Sequence, residues 1–189
     1  MSKRQKKKQT TRQEIRQVAK QLFKTQGFEA TTVRQIAGAA EVAPGTIFVH
    51  FPDKSAILND ILFEDLELTV AQAFGSLPGK DLSAQLLHLA YTLYSYYLKH
   101  KSLSQNLIKN GLFTQSAFSE QIRSFIGAVA KLIQKAQARG EVASHKDPHS
   151  LAELYMAAYF FVLLGLLRND FEDLEEASAK LKAMLELSF

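Results

Sequence analysis

The 189-residue chain has no cysteine and no tryptophan, and only four prolines. Without thiols there is no disulfide framework, no thiolate zinc or iron–sulfur site and no cysteine nucleophile, a usage that fits an intracellular address. Charged residues make up only 22% of the chain against 47% hydrophobic residues, so wholesale disorder is excluded. Long apolar runs are also missing. The charge-free stretch from Leu154 to Leu167 falls short of the roughly 20 residues a membrane span needs. The basic start MSKRQKKKQTTRQ has no apolar segment behind it and does not read as a secretory signal. The expectation is a soluble, cytoplasmic protein with no membrane partner.

Catalytic patterns are equally scarce. His50, His88, His100, His145 and His149 show no HExxH or other metal-ligand spacing, and His145 and His149 straddle Asp147-Pro148, which separates them from a common helical face. No GxSxG or P-loop pattern occurs. The acidic run Glu172–Glu176 reads as the solvated first turn of a helix. Neither an enzyme, a metal site nor a cofactor is implied.

What is present is an uneven charge. Residues 1–60 carry eleven Lys and Arg against five Asp and Glu, a net +6, while the remainder carries −2. A basic first third on a slightly acidic body points to a polyanionic partner for that third.

Helical periodicity recurs throughout and strand signals are few, so the fold class is all-α. Thr11-Arg12-Gln13-Glu14 has the capping-box pattern and precedes the apolar face Ile15, Val18, Ala19, Leu22 and Phe23, with Gly27 as the stop. Thr32-Val33-Arg34-Gln35 is a second box, ahead of Ile36, Ala37 and Ala40. Ala43-Pro44-Gly45 opens a third helix with proline at its first position, and Ile47, Phe48 and Phe51 fall on its core side. Asp53 is placed to cap a fourth. The spacing predicts a basic flexible arm over 1–8, a helix-turn-helix domain over 9–54 whose second paired helix enters a major groove, and a helical domain over 55–189.

In that last domain Asp81 caps a segment through Tyr97, a short helix covers Leu103–Lys109, a long one ends at Gly140, and Asp147-Pro148 starts another. Helix 149–168 is apolar on all sides, with Leu151, Tyr155, Ala158 and Val162 on one face and Leu154, Ala157, Phe161 and Gly165 on another. Such a helix must be covered all round. The final helix adds Leu174, Ala177, Leu181 and Met184. Two helices from each of two chains would make a four-helix interface about a two-fold axis, so a homodimer is expected.

The run from Gln26 through Gly27-Phe28 and Thr31-Thr32-Val33 to Ile36-Ala37, continued by Ala40 to Lys54, resembles the N-terminal domain of the TetR/AcrR family of transcriptional regulators. The match covers roughly the first 60 residues. The resemblance implies a homodimer with a DNA-binding head and a C-terminal domain for a small-molecule signal. Thr31 and Thr32 stand where hydroxyls and amides at a helix start can meet phosphate, and Arg34 lies one turn further on. Pro44, Gly45 and Thr46 form the leading end of the recognition helix, where Gly45 lets the backbone approach and Thr46 suits a base edge or a thymine methyl. His50 and Lys54 match family positions that contact phosphate. Phe48 stands where tyrosine is common, so one phosphate bond is missing, and Val49 offers apolar surface only.

By the same resemblance, Phe63, Leu66, Leu89, Tyr94, Asn106, Phe113, Phe125 and Tyr159 are candidates to line an effector cavity. The implied partners are a palindromic double-stranded operator, a second copy of the chain and an unidentified apolar or aromatic effector. The implied function is a repressor released from DNA by that effector. An activator, a protein-regulated member of the family and a basic helical protein bound to a membrane surface are the alternatives.

Overall fold

The structure, a computed structural model, describes residues 2–111 and 117–187, and gives only the backbone of residues 106, 110, 111 and 117–119. Among the described residues there are nine helices and no strand. They are α1 (Lys3–Gln26), α2 (Val33–Ala39), α3 (Pro44–His50), α4 (Lys54–Gly75), α5 (Leu82–Lys99), α6 (Lys101–Gly111), α7 (Ala117–Ala138), α8 (Pro148–Arg168) and α9 (Leu174–Glu186). The chain divides into two compact units, Met1–Glu64 and Asp65–Phe189.

In the first unit, α1 begins eight residues before the expected Thr11. Ser2 caps it, accepting from the Gln5 amide while the Gln5 side chain accepts from the Ser2 amide. The basic segment is therefore two exposed helical turns rather than a flexible arm. A local capping box at Ser2 prevails over the like-charge repulsion of Lys3, Arg4, Lys6, Lys7 and Lys8. Gly27 ends the helix at φ 85°, a conformation that favours glycine, and its amide reaches the Phe23 carbonyl.

Thr32 and Gln35 form the expected capping box of α2. Pro44 opens α3, and Ala43 supplies no side-chain cap, as anticipated. The turn between α2 and α3 places Glu41 at φ 53°. Ile15, Ala19, Ile36, Ala37, Ile47, Phe51, Ile57 and Leu58 make the buried core of this unit. Phe48 does not join them and stands 57% exposed, because Ile47 and Phe51 already occupy the inward side of a two-turn helix.

The second unit packs α5, α7, α8 and α9 together. Asp81, Asp147 and Asp173 cap α5, α8 and α9 through their carboxylates. The C-terminus of α8 is closed by Asn169 in the left-handed region, and α6 completes the closure. Lys101 donates to the Leu166 carbonyl (3.1 Å) and Gln105 to that of Leu167 (2.8 Å).

The α8 helix is 21 residues long and apolar enough to cross a bilayer by length and composition, beyond what the charge-free stretch alone indicated; 61% of its most apolar window is buried inside the chain, as in a core helix. One stripe stays uncovered, with Leu154 47% and Phe161 54% exposed and Ala157 between them. Gly165 is buried instead against Phe171 of the same chain, and Ala177 and Leu181 lie in the chain's own core, while Leu174 and Met184 are half-buried.

Candidate functional site

In the first unit, α3 presents Pro44, Gly45, Phe48 and Val49 outward, with Val49 68% exposed and Thr46 half-buried beside them. Ile47, wholly buried, anchors the opposite side. Gly45 has open space around a hypothetical Cβ, with no heavy atom of the chain within 4 Å, and it is not among the positive-φ glycines. Neither packing nor backbone conformation within the chain demands a glycine there. Arg34 on α2 is exposed.

Thr31 departs from expectation. It is 1% exposed, its hydroxyl donates to the Gly27 carbonyl (2.7 Å) and accepts from the Gln26 amide, and its own N–H donates to Phe28. Both groups are spent on closing the α1–α2 turn, so Thr31 cannot meet a phosphate. Thr32 is exposed, and its hydroxyl takes part in the α2 capping box.

Lys54 is likewise turned inward. Its ammonium donates to the Phe28 carbonyl at 2.6 Å and sits 4.2 Å from the centre of the Phe28 ring. Carbonyl and ring together hold the cation beside the loop between α1 and α2.

Sequence reading missed Arg12. Its guanidinium donates to the His50 carbonyl (2.8 Å) and to Asp60 (2.7 Å), and lies 4.2 Å from the centre of the Phe51 ring. Asp60 also pairs with Arg16, which reaches Glu64 as well. The signal was available: two arginines four apart on one helix and two acids four apart on another, a spacing that brings each pair onto one face. Partial burial first, then the positive charges of Lys8 and Arg12, hold the His50 imidazole below its ordinary value of 6.5. His50 is therefore neutral at pH 7, and its Nδ1 is buried without a hydrogen-bond partner among the described residues.

In the second unit a small apolar cavity of about 30 Å³ lies among α4, α5, α7 and α8. Its wall includes Leu66, Phe125 and Tyr159, three of the anticipated residues, together with Val70, Leu93, Tyr97, Gln121, Ile122, Met156 and Phe160. Room for about one water remains.

Leu89 and Tyr94 are not on this wall but in the core. The Tyr94 hydroxyl donates to the Tyr159 carbonyl (2.9 Å), and the two rings stack 4.9 Å apart. Phe63, on the part of α4 that belongs to the first unit, is not on the wall either. Phe113 and the side chain of Asn106 lie outside the described residues. Tyr155 donates to the Leu86 carbonyl at 2.8 Å. Burial pushes the phenols of Tyr94, Tyr97, Tyr155 and Tyr159 well up, so all are neutral hydroxyls at physiological pH.

Residues 15–61 match the family model described as bacterial regulatory proteins, tetR family. Over 185 residues the chain is 21% identical to the HTH-type transcriptional regulator UidR of Escherichia coli K12, covering 94% of this chain and 92% of the relative. Among solved structures it is similar to a tetR family transcription regulator from Shewanella sp. PV-4, at 25% identity and a TM-score of 0.59, covering 94% of this chain and 97% of that one. It also shares the fold of Thermus thermophilus FadR, a TetR-family repressor solved in complex with lauroyl-CoA, at 22% identity and a TM-score of 0.64, covering 93% and 92% of the two chains.

Proposed function

Starting from the membership of this all-α, DNA-binding chain in the tetR family of transcriptional regulators, we propose that it is a cytoplasmic homodimeric repressor released from a palindromic operator by a small apolar molecule. The observation that carries the proposal is the outer face of α3. There Gly45 is small for no reason internal to the chain, at the leading end of a helix whose other outward residues are Thr46, Phe48 and Val49. A glycine at that place lets the backbone reach a duplex edge, and the neighbouring side chains supply one hydroxyl and two apolar surfaces for base readout.

The uncovered stripe Leu154, Ala157 and Phe161 supports pairing through α8, since an exposed apolar row on a mostly buried helix asks for a second surface. Paired heads would then meet half-sites about 34–36 Å apart. The effector would act by binding more tightly to a form whose heads no longer fit that spacing. The apolar wall around Phe125 and Tyr159 supports an apolar effector, which would have to widen the present space of about 30 Å³.

The test is Gly45→Ala. Alanine suits a helix better than glycine by about 1 kcal/mol, and nothing in the chain obstructs its methyl, so the fold should hold or strengthen. Affinity for a palindromic duplex selected from a genomic fragment pool should fall at least about tenfold. Unchanged duplex affinity in this variant would remove α3 from the interface.

A further inference from the structure

Gln121 is the odd residue in the cavity wall. Both atoms of its side-chain amide are buried, and neither has a hydrogen-bond partner among the described residues. Buried amides without partners are rare because desolvation is uncompensated. The rest of the wall is aliphatic or aromatic apart from the neutral phenols of Tyr97 and Tyr159, whose hydroxyls interact with one another, and no charged residue lines it. A hydrogen-bonding group is thus presented, unused, in an apolar wall.

A second observation lies next to it. Val70, Gln121 and Phe125 line also a groove of about 430 Å³ between α4 and α7, so groove and apolar cavity adjoin at these three side chains. The groove carries Glu67 and Glu120, both exposed, and no basic residue. An approaching anion meets two negative charges there and finds no cation on the cavity wall to pair with.

We infer that the effector is an uncharged, mostly apolar molecule with a single hydrogen-bonding group, entering through the α4–α7 groove and bonding to the Gln121 amide once Val70 and Phe125 yield. The amide can donate to a carbonyl or accept from a hydroxyl, so amides, alcohols and ketones fit while free carboxylates and phosphates do not. The inference rests on the effector role proposed above and narrows it to a chemical class.

The full-length protein is titrated by calorimetry with naphthylethanol, naphthylacetamide and the naphthylacetate anion, three probes with one ring system and different polar groups, and with ethylnaphthalene as the apolar reference. The alcohol and the amide should bind at least about tenfold more tightly than the acetate. Gln121→Leu, close in shape and without the unpartnered amide, should raise the unfolding midpoint by roughly 2 °C or more. In that variant the alcohol and amide should lose their advantage over ethylnaphthalene. Acetate binding as tight as the neutral probes, or a Gln121→Leu protein with unchanged stability and ranking, overturns the inference. Binding by none of the probes overturns it together with the small-molecule part of the proposed function. Neutral probes that bind as expected but leave the protein on its duplex sink only the effector role.

Discussion

Gly165 offers a test in which two effects of opposite sign compete. It lies inside α8, where alanine is favoured over glycine by about 1 kcal/mol on helix propensity alone. A Cβ at this position would run into Cε2 of Phe171 and sit 3.2 Å from Cδ2 and Cζ, against 3.4–4 Å for ordinary contact. The ring, half-buried just past the C-terminus of α8, must retreat by about 1 Å. Overpacking of this kind costs about 1–3 kcal/mol. Gly165→Ala should therefore cost a net 0–2 kcal/mol, or roughly 0–8 °C in unfolding midpoint for a chain of this size.

With Phe171→Ala in the background the obstruction is gone, and the same substitution should become stabilising by about 1 kcal/mol. Urea unfolding followed by helical circular dichroism on the four proteins gives a coupling energy of about 1–3 kcal/mol. Additive substitutions would mean that Phe171 does not occupy the space above Gly165.

Four other outcomes are expected. Arg12→Gln should lower stability by about 1 kcal/mol, a modest figure because its side chain is 40% exposed, and should weaken duplex binding by loosening the end of α3; denaturation and fluorescence anisotropy measure the two. Glu41→Gly should raise stability by about 1 kcal/mol in urea unfolding, since φ 53° is strained for a side-chain-bearing residue and free for glycine.

His50 is held below 6.5 in the fold, so the unfolded chain binds more protons just beneath that value. The stability owed to its neutral form is complete above about pH 6.5 and is lost as pH falls below it. Unfolding free energies measured from pH 7.5 to about 5.5 should therefore decline less steeply in His50→Gln than in the parent. Leu154→Glu with Phe161→Glu should yield a folded monomer by sedimentation, because both side chains stand exposed on the single chain.

Periodicity and punctuation carried most of the helices into view. The prolines at 44 and 148, the aspartates at 81 and 147 and the threonine at 32 act over three or four residues, and each starts a helix where it stands. The start of α1 escaped because a stretch so rich in lysine reads as solvated coil, while the stabilising contact is one serine–glutamine exchange at its tip.

Residues whose roles depend on a distant partner were less legible. Thr31 looks like a phosphate ligand by position, but it is buried and its hydroxyl is taken by the Gly27 carbonyl, and the contact of Lys54 with Phe28 carries no signal in the sequence. Ala177 and Leu181 form an apolar row that does not say whether it faces the same chain or another. In the cavity, aromatic content pointed to Phe125 and Tyr159 but not to Gln121, one turn before Phe125 on the same face of α7, because an isolated glutamine carries no pattern.

Arg12 holds the main-chain carbonyl of His50 by a hydrogen bond and touches the imidazole only through its charge. Placement of the helix and choice of base contacts are thereby separated: the grip persists whatever side chain stands at position 50. A set of proteins with exchanged outward residues on α3 can consequently be built on this scaffold and compared for altered operator preference, with residue 12 kept constant as the shared hinge pin.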